Sequence, residues 1–152
     1  MALVKSEEKY GFINKTGKFV ISPQFDAAKE FVDGVAAVQS GEKWGFIDKT
    51  GKYVVAPQFD MAMDFAGGLA VVRNDEKFGF IDKTGKYVIA AQFGETHNFV
   101  DGLALVKSGT KWGYIDKSGR YSITPQFDAA NSFVDGLALV KSGTKWGYIS
   151  PK

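Results

Sequence analysis

The chain has 152 residues, of which 45% are hydrophobic and 24% are charged. These proportions are typical of a folded domain that buries a core, and they argue against disorder. Lysine and arginine together number 19 and the acidic residues 17, so the formal net charge is only +2. So small a charge argues against nucleic acid as a partner, and the absence of cysteine excludes disulfides and thiolate metal sites.

The first twelve residues, MALVKSEEKYGF, lack the basic and apolar regions of a signal peptide. No stretch approaches the ~18 consecutive apolar residues of a membrane span. The default expectation is therefore a cytoplasmic protein with no transmembrane segment.

A period of 34 residues runs through the chain. Full units occupy residues 9–42, 43–76, 77–110 and 111–144, with partial units at 1–8 and 145–152. No linker interrupts them, so the expected organisation is one repeat array over residues 1–152.

In chain order, each unit begins with a run such as LALVK, a polar turn and a run such as KWGYI, which together predict a β-hairpin. In the DKTG that follows, Asp48 is placed to bond backbone amides two residues on, and Gly51 to take the positive φ of a bulged turn. The third run, KYVVAPQF, predicts a strand. Its Pro57 cannot donate a hydrogen bond, which places it at a strand end or edge.

The last piece of each unit, such as FDAAKEFVDG, predicts one or two turns of helix. Its apolar residues fall near helical spacing, Asp26 is placed to cap the amino end, and Gly34 is placed to close the carboxyl end.

The faces of the strands predict how units meet. Both alternating faces of LALV are apolar, and in WGYI the Trp and Tyr share one face while the Ile takes the other. The expected fold is an all-β repeat protein, an open array of stacked three-stranded units with a short helical turn between them. The sequence contains five predicted hairpins but only four predicted third strands. Because a closed ring needs a whole number of units, this count favours an open array; a small β-propeller is the alternative.

The phrases KWGFIDKTGKYVV and FxxGLA resemble those of WG-repeat, or KWG-repeat, proteins. The resemblance covers the whole chain, and it departs from the pattern at Tyr10 and Phe78 in the Trp position and at Ala91 and Gly94. It implies a β-rich fold in a bacterial protein, often attached to other domains, with a binding role. It implies no catalytic residues.

The segment predicted as helix is where the units differ most, reading AAKE, MAMD, ETHN and AANS. A fixed scaffold with one varied strip is how repeat proteins present a binding face, although a solvated face under relaxed constraint looks the same. We call this segment the varied strip. Its candidate binding residues are Lys29, Glu30, Met61, Met63, Glu95, His97, Asn98, Asn131 and Ser132.

The aromatic column formed by Tyr10, Trp44, Phe78, Trp112 and Trp146 fits a core spine, because the three residue types fill similar space. If its members were exposed, Trp44, Trp112 and Trp146 would form an alternative face that stacks on glycans.

The repeated Asp of DKTG fits turn capping, since one carboxylate per turn suits neither a calcium loop nor a glycosidase. His97 is the only histidine, so no catalytic residue, metal site or cofactor is predicted.

The sequence therefore predicts a non-enzymatic binding or scaffold module for an unidentified protein partner. Two alternatives stay open: binding of glycan or cell wall through exposed aromatics, and a structural repeat that self-associates through its terminal hairpins, because unpaired sheet edges invite association.

Overall fold

The computed structural model describes residues 1–151, and it is all-β. Within those residues there is no apolar helix of membrane-spanning length. The strands are β1 (Ala2–Ser6), β2 (Lys9–Ile13), β3 (Phe19–Phe25), β4 (Ala27–Ala28), β5 (Ala36–Ser40), β6 (Lys43–Ile47), β7 (Tyr53–Phe59), β8 (Met61–Ala66), β9 (Leu69–Asn74), β10 (Lys77–Ile81), β11 (Tyr87–Phe93), β12 (Glu95–Thr96), β13 (Ala104–Ser108), β14 (Lys111–Ile115), β15 (Tyr121–Phe127), β16 (Ala129–Ala130), β17 (Ala138–Ser142) and β18 (Lys145–Ile149).

The chain divides into two compact units. The first comprises Met1–Asp75 and Ile81–Lys86, and it contains the sheets β1-β2-β3 and β4-β5-β6-β7 and the β8-β9 pair. The second comprises Glu76–Phe80 and the described residues from Tyr87 onward, and it contains the sheets β12-β13-β14-β15 and β16-β17-β18. Neighbouring strands in these sheets run antiparallel, and the pairing follows the order of the strands along the chain.

The predicted hairpin is confirmed. Strands β5 and β6 pair from Ala36↔Ile47 to Ser40↔Lys43, and β13 and β14 pair in the same register. Gly41 and Gly109 take φ of 68° and 63° in the tight turns, as two-residue hairpin loops require.

The predicted helical turn is wrong. The segment forms a short strand (β4, β8, β12 or β16) that pairs with the first strand of the hairpin that follows it, so a full sheet has four strands and not three. After β4, Val32 pairs with Val35 around Asp33 and Gly34, whose φ values are 54° and 83°. An Asp-Gly pair with two positive φ angles is a hairpin turn, and this local preference outweighs the helical spacing of the apolar residues.

The third run is confirmed as a strand, and it lies at one edge of its sheet, as Pro57 predicted. Opposite Gly45 its register shifts, from Trp44↔Phe59 to Phe46↔Val55, so Pro57 sits in a bulge. A Cβ on Gly45 would lie 2.5 Å from the carbonyl oxygen of Val55 and 2.7 Å from the nitrogen of Pro57. Glycine is therefore required after Trp44 because the third strand crosses directly over it.

Successive sheets within a unit share a core. In the first unit, Phe12 and Ile21 of the first sheet pack with Val38 and Ile47 of the second. The opposite face of the second sheet, which includes Phe46, packs with the pair β8-β9. The second sheet is thus covered on both faces, and Phe46 and Ile47 lie on opposite faces as predicted.

The Asp of each DKTG turn is confirmed as a turn acceptor. The Asp48 carboxylate accepts hydrogen bonds from the backbone N–H of Thr50 at 2.8 Å and of Lys52 at 3.1 Å, and Gly51 has φ of 92°. Asn14 accepts the equivalent bonds in the first repeat, at 2.9 and 3.1 Å. The side-chain oxygen is therefore what the turn requires, and the charge is not essential.

These turns predict a dependence of stability on pH. The pKa values of Asp48, Asp82 and Asp116 are held below the usual 3.8, first by a hydrogen bond from the hydroxyl side chain two residues on. A pKa that is lower in the folded state adds stability above the unfolded pKa, and this stability is lost as the pH falls from about 4 toward the folded pKa.

We expect Tm to fall between pH 7 and pH 3, and to fall less in a variant with Asp48→Asn, Asp82→Asn and Asp116→Asn. Asn14 shows that asparagine keeps the turn. Thermal unfolding followed by circular dichroism at both pH values measures the difference. Equal acid sensitivity in the two proteins would contradict the assignment.

A second carboxylate column, which follows the third strand in three of the four repeats, bonds to neighbouring hairpins. Asp26 accepts a hydrogen bond from Lys9 and one at 2.7 Å from the backbone N–H of Gly41, and Asp128 does the same with Lys111 and Gly143. Within the described residues, Gly94 replaces this Asp in the third repeat, although its backbone N–H keeps the bond to the carbonyl of Lys107.

Gly94→Asp is therefore expected to raise the free energy of unfolding by about 0.5–1 kcal/mol, because the unfolded chain loses glycine's extra freedom. Gly94 does not have a positive φ, and a Cβ added to it would meet one atom, 3.8 Å away, so an aspartate fits. Urea unfolding measures the change. Gly102→Asp is the control that should destabilise, because Gly102 has φ of 82°. A destabilised Gly94→Asp protein would refute the prediction.

Candidate functional site

The varied strip lies on the short outer strands, each at one edge of its sheet. Its second position holds a small side chain that packs inward: Ala28 and Ala130 join the core clusters, and Thr96 is buried with its hydroxyl donating to the carbonyl of Leu105 at 3.2 Å. Because side chains alternate along a strand, the first and third positions face the other way. The third and fourth positions differ in all four repeats, whereas the first is Ala in two of them.

The structure places all nine predicted strip residues on or directly after these outer strands. The exposed ones are Glu30, Met61, Glu95, His97, Asn98 and Asn131, and the half-buried ones are Lys29, Met63 and Ser132. None of them is buried, so all nine have surface that a partner can touch.

In the first compact unit, the varied strip contacts the aromatic column. The Lys29 ammonium lies 5.6 Å from the centre of the Trp44 ring and donates a hydrogen bond to the carbonyl of Ala62 at 3.0 Å. Lys29 therefore ties one outer strand to the next, and its charge sits against the ring face.

In the second compact unit, the contact is between two aromatic rings. The imidazole of His97 lies 5.9 Å from Trp112, with 30° between the ring planes, and the Lys107 ammonium lies 5.6 Å from the same Trp. Glu95 pairs with Lys107 in the strand register, and their charged groups are 3.8 Å apart. Four side chains of different chemistry thus meet at one point: an acid, an imidazole, an ammonium and an indole.

A cation lies beside the aromatic in several repeats. Lys5 at Tyr10 and Lys141 at Trp146 come from the facing hairpin strand, as Lys107 does at Trp112. Opposite Trp44 the facing residue is Gln39, and there the cation is supplied by Lys29 of the outer strand.

The aromatic column lies at the margin of the core. Tyr10, Trp44 and Trp112 are half-buried and pack against core clusters, whereas Trp146 is 55% exposed. The predicted core spine thus describes the half-buried members and not Trp146. The glycan-binding alternative stays a prediction, and the cations beside Trp44 and Trp112 would compete with a sugar for those rings.

The strip residues of the last sheet lie beside an apolar groove. Asn131, Ser132, Val134, Leu137 and Tyr148 line it, and its volume is about 430 Å³. In the preceding sheet, the equivalent Tyr is buried and its hydroxyl donates to the carbonyl of Asn131 at 2.7 Å. Burial raises the pKa of this Tyr114 to about 12.

Sequence reasoning missed two parts of this site. Lys107 was not selected, although it is opposite Trp112 in the hairpin. Counting residues back from the predicted turn would have given this pairing. Tyr148 was not selected because the sequence around it is identical to the sequence around Tyr114. No sequence signal therefore distinguishes the exposed tyrosine from the buried one.

Within residues 1–151 no group of three or more His, Cys, Asp or Glu side chains is arranged to hold a metal ion.

Comparison with known proteins agrees with this architecture. A family model described as a WG containing repeat matches residues 10–44, 44–78, 78–112 and 112–146. No curated protein matches the chain. Among solved structures, one described as "KlHsv2 with loop 6CD replaced by a Gly-Ser linker" is similar, with a TM-score of 0.56 and 12% identity. The match covers 98% of this chain but only 58% of that one, and at this identity it concerns the fold alone.

Proposed function

The chain belongs to the family of WG-containing repeats, and from this premise we propose that it is a binding module that holds a protein partner on the varied strip. The observation that carries the proposal is the cluster of Glu95, His97, Lys107 and Trp112, which begins at the outer strand β12 and extends across β13 to β14. Tryptophan is enriched at protein interfaces and among the residues that contribute most binding energy.

The fold supports this role because the strip residues that pack into the core and the strip residues that vary occupy different positions. The second strip position stays small because it packs into the core, while the third and fourth positions differ in every repeat. A surface with a fixed backbone and variable side chains loses little conformational entropy when it binds. The strip can therefore differ between repeats without changing the scaffold.

We propose that the module acts without catalysis. The repeated carboxylates already serve other purposes: Asp48 and its equivalents accept turn hydrogen bonds, and Asp26 and its equivalents pair with lysines. His97 lies against Trp112, which favours a contact role for its imidazole.

The test compares proteins captured from a bacterial lysate by three immobilised forms of the chain. The strip variant carries Glu95→Ala, His97→Ala and Asn98→Ala, all at exposed positions of the second unit. The matched control carries Lys15→Ala, Lys49→Ala and Lys117→Ala, which are exposed lysines of the DKTG turns. Circular dichroism and Tm establish that all three forms fold.

A protein retained by the wild type and by the control, but lost from the strip variant, would support the proposal. A set of captured proteins that is the same for all three forms would overturn the assignment to the strip.

A second candidate function, self-association, is favoured by one comparison. Residues 99–115 and 133–149 have identical sequences, yet Tyr114 is 1% exposed and Tyr148 is 70% exposed, because no described residue stacks on that face of the last sheet. The partner would be a second copy, whose first sheet presents the half-buried Val4 and Ile13 where the internal interfaces use Val140 and Ile149. Such a head-to-tail contact repeats from copy to copy.

Light scattering over a range of protein concentrations tests this candidate. We expect the mass to rise with concentration for the wild type and to stay monomeric for Tyr148→Lys. A monomeric mass for the wild type at every concentration would refute self-association.

A further inference from the structure

Every repeat presents two cations and an aromatic together, where its DKTG turn leads into the third strand. The four turns, each with the two residues that follow, read NKTGKF, DKTGKY, DKTGKY and DKSGRY. We call the two cations of each turn the turn cations and its aromatic the turn ring. All of them are exposed: Lys15, Lys18, Phe19, Lys49, Lys52, Tyr53, Lys83, Lys86, Tyr87, Lys117, Arg120 and Tyr121.

The fold makes little use of the turn cations. The side-chain oxygen at the start of each turn accepts the turn's hydrogen bonds. Within residues 1–151 none of the turn cations forms an ion pair, whereas Lys9, Lys43 and Lys111 each pair with an aspartate. Lys83 donates a hydrogen bond to the carbonyl of Asp33 at 2.8 Å, which does not neutralise its charge. Positive charge therefore accumulates at these turns.

Positive charge and a ring are kept in these turns although other exposed positions change. The hairpin turns read SEE, SGE, NDE, SGT and SGT, and the third and fourth positions of the varied strip differ in all four repeats. The DKTG turns differ too, but Arg120 keeps the charge of a lysine and Phe19 keeps the ring of a tyrosine. The exposed Val54 that follows a turn ring is replaced by Ser122 in the fourth repeat. Solvation alone gives no reason to keep the cations and the ring while the positions around them change.

Three of these turns follow one another within the first compact unit. A Cβ added to Gly51 would lie 3.4 Å from the side chain of Ile21, and one added to Gly85 would lie 3.1 Å from that of Val55. The second and third turns therefore each pack on the third strand of the preceding repeat. The six turn cations of residues 15–86 accordingly form one row in this unit.

The turn rings of this unit stand beside that row. Tyr53 meets Phe25 of the preceding third strand edge to face, with ring centres 6.4 Å apart and 83° between the planes. Phe19 and Tyr53 are nevertheless 48% and 43% exposed. A ring that is fixed and half open offers a surface on which another planar group can stack.

The net charge of +2 is a sum over two unlike ends of the sheets. Strand β6 runs from a hairpin turn to a DKTG turn, so the two kinds of turn lie at its opposite ends. A five-residue strand spans about 17 Å, roughly twice the Debye length of ~8 Å at physiological ionic strength. Acids of the hairpin turns, such as Glu7 and Glu42, therefore do little to offset the turn cations. At the DKTG end of the first compact unit, six turn cations outnumber the acids of the turns, which are Asp33, Asp48 and Asp82.

We propose that the turn cations and turn rings of the first compact unit bind single-stranded nucleic acid. Sites of one chemistry repeated along a chain fit a polymer whose own chemistry repeats, and a nucleic acid strand offers a phosphate and a base at every nucleotide. Basic side chains follow the phosphates, and bases stack on aromatic rings with little regard to sequence. The rings favour nucleic acid over a polyanion that has none, and Ser122 in place of valine argues against insertion into a membrane.

This surface is distinct from the varied strip. In the sheet β4-β5-β6-β7, the third strand β7 lies at one edge and the outer strand β4 at the other. The inference therefore does not rest on the proposed protein partner. Nuclease treatment of the lysate keeps the capture test of the strip independent of this surface, because the control variant of that test changes turn cations.

The test measures binding of a labelled oligothymidylate to the full chain by fluorescence anisotropy. A length of about 20 nucleotides exceeds the ~4–16 nucleotides that one small domain covers. We expect a Kd of about 10⁻⁴–10⁻⁶ M, typical of binding that is independent of sequence. The affinity should fall steeply as salt rises from about 50 to 200 mM, because binding releases counterions from the phosphates.

Two variants separate the charge from the rings, and circular dichroism establishes that both fold. Lys18→Gln, Lys52→Gln and Lys86→Gln together should weaken binding and reduce the slope of log K against log salt by about 2, since each phosphate contact on a single strand contributes about 0.7. Phe19→Leu with Tyr53→Leu should weaken binding by about tenfold or more and leave the slope unchanged, because leucine keeps the apolar volume but has no face for stacking.

The matched control removes the same number of charges elsewhere. Lys9→Gln, Lys43→Gln and Lys111→Gln replace lysines that are already paired with aspartates, so the slope should stay as in the wild type.

Any of five results would overturn the proposal. The first three are no binding at about 50 mM salt, an equal loss of slope in the matched control, and undiminished binding by the leucine variant. The fourth is equal binding of inorganic polyphosphate, which carries the charge but no bases. The fifth is binding to phosphatidylserine vesicles without binding to the oligonucleotide, which would assign the surface to a membrane.

Discussion

Replacing Gly113 with alanine is expected to lower the free energy of unfolding by about 3 kcal/mol, a large effect for one methyl group. The added Cβ would lie 2.7 Å from the carbonyl oxygen of Ile123 and 2.7 Å from the nitrogen of Pro125. Both atoms belong to the backbone, so neither can move aside without shifting β15 from its bulged register. Urea unfolding followed by circular dichroism measures the loss.

The chain supplies its own control. Gly147 has the same neighbours in sequence, KWGYI, and a Cβ added to it would have no described atom within 4 Å, so Gly147→Ala should change the free energy of unfolding by less than about 0.5 kcal/mol. Equal losses in the two variants would mean that glycine is needed for β-strand geometry and not for the crossing strand.

The second large effect is expected at Tyr114. This side chain is 1% exposed and packs against Phe133 with ring centres 4.8 Å apart. Tyr114→Ala is expected to cost about 4 kcal/mol, because it leaves a cavity in the core and removes the donor to the carbonyl of Asn131. Thermal and urea unfolding measure the cost.

Tyr148→Ala is the matched variant in an identical stretch of sequence. Tyr148 is 70% exposed, so the expected change is within about 0.5 kcal/mol. A comparable loss at Tyr148, measured at a concentration where the chain is monomeric, would show that the last sheet is covered in solution. It would then contradict the exposure on which self-association rests.

The sequence predicted most of the repeat unit because the decisive signals are local. The hairpin, the DKTG turn and the edge position of Pro57 each depend on residues within a few positions of one another, and all three are confirmed. The faces of Phe46 and Ile47 followed from strand alternation, and they too are confirmed.

The helix was predicted wrongly because two local signals competed. Apolar residues near helical spacing favoured a helix, while Asp33 and Gly34 favoured a tight turn between Val32 and Val35. The outer strand also bonds to the hairpin that follows it, as from the N–H of Lys29 to the carbonyl of Ala37 at 2.9 Å. Whether such a segment forms a strand depends on pairing with a neighbouring segment. The spacing of apolar residues within the segment does not report that pairing.

The candidate site was predicted in part. The strip residues were selected by their variation, which requires no knowledge of the fold, and the structure places each of them on or directly after an outer strand. Their contact with the aromatic column was not predicted, because a helix would have presented Lys29 and His97 in another direction. Trp112 is half-buried and Trp146 is 55% exposed, although the stretches around them are identical, so the local sequence does not distinguish them.

The cation beside Trp44 has a consequence for how such repeats can change over generations. Where the facing position holds Gln39, the ammonium comes from Lys29 on a different strand. The two positions should therefore substitute in a correlated way: a repeat that loses the lysine facing its tryptophan should retain a cation only when the outer strand gains one. Selection would then act on the presence of a positive charge beside the tryptophan, and either of two residue positions could supply that charge.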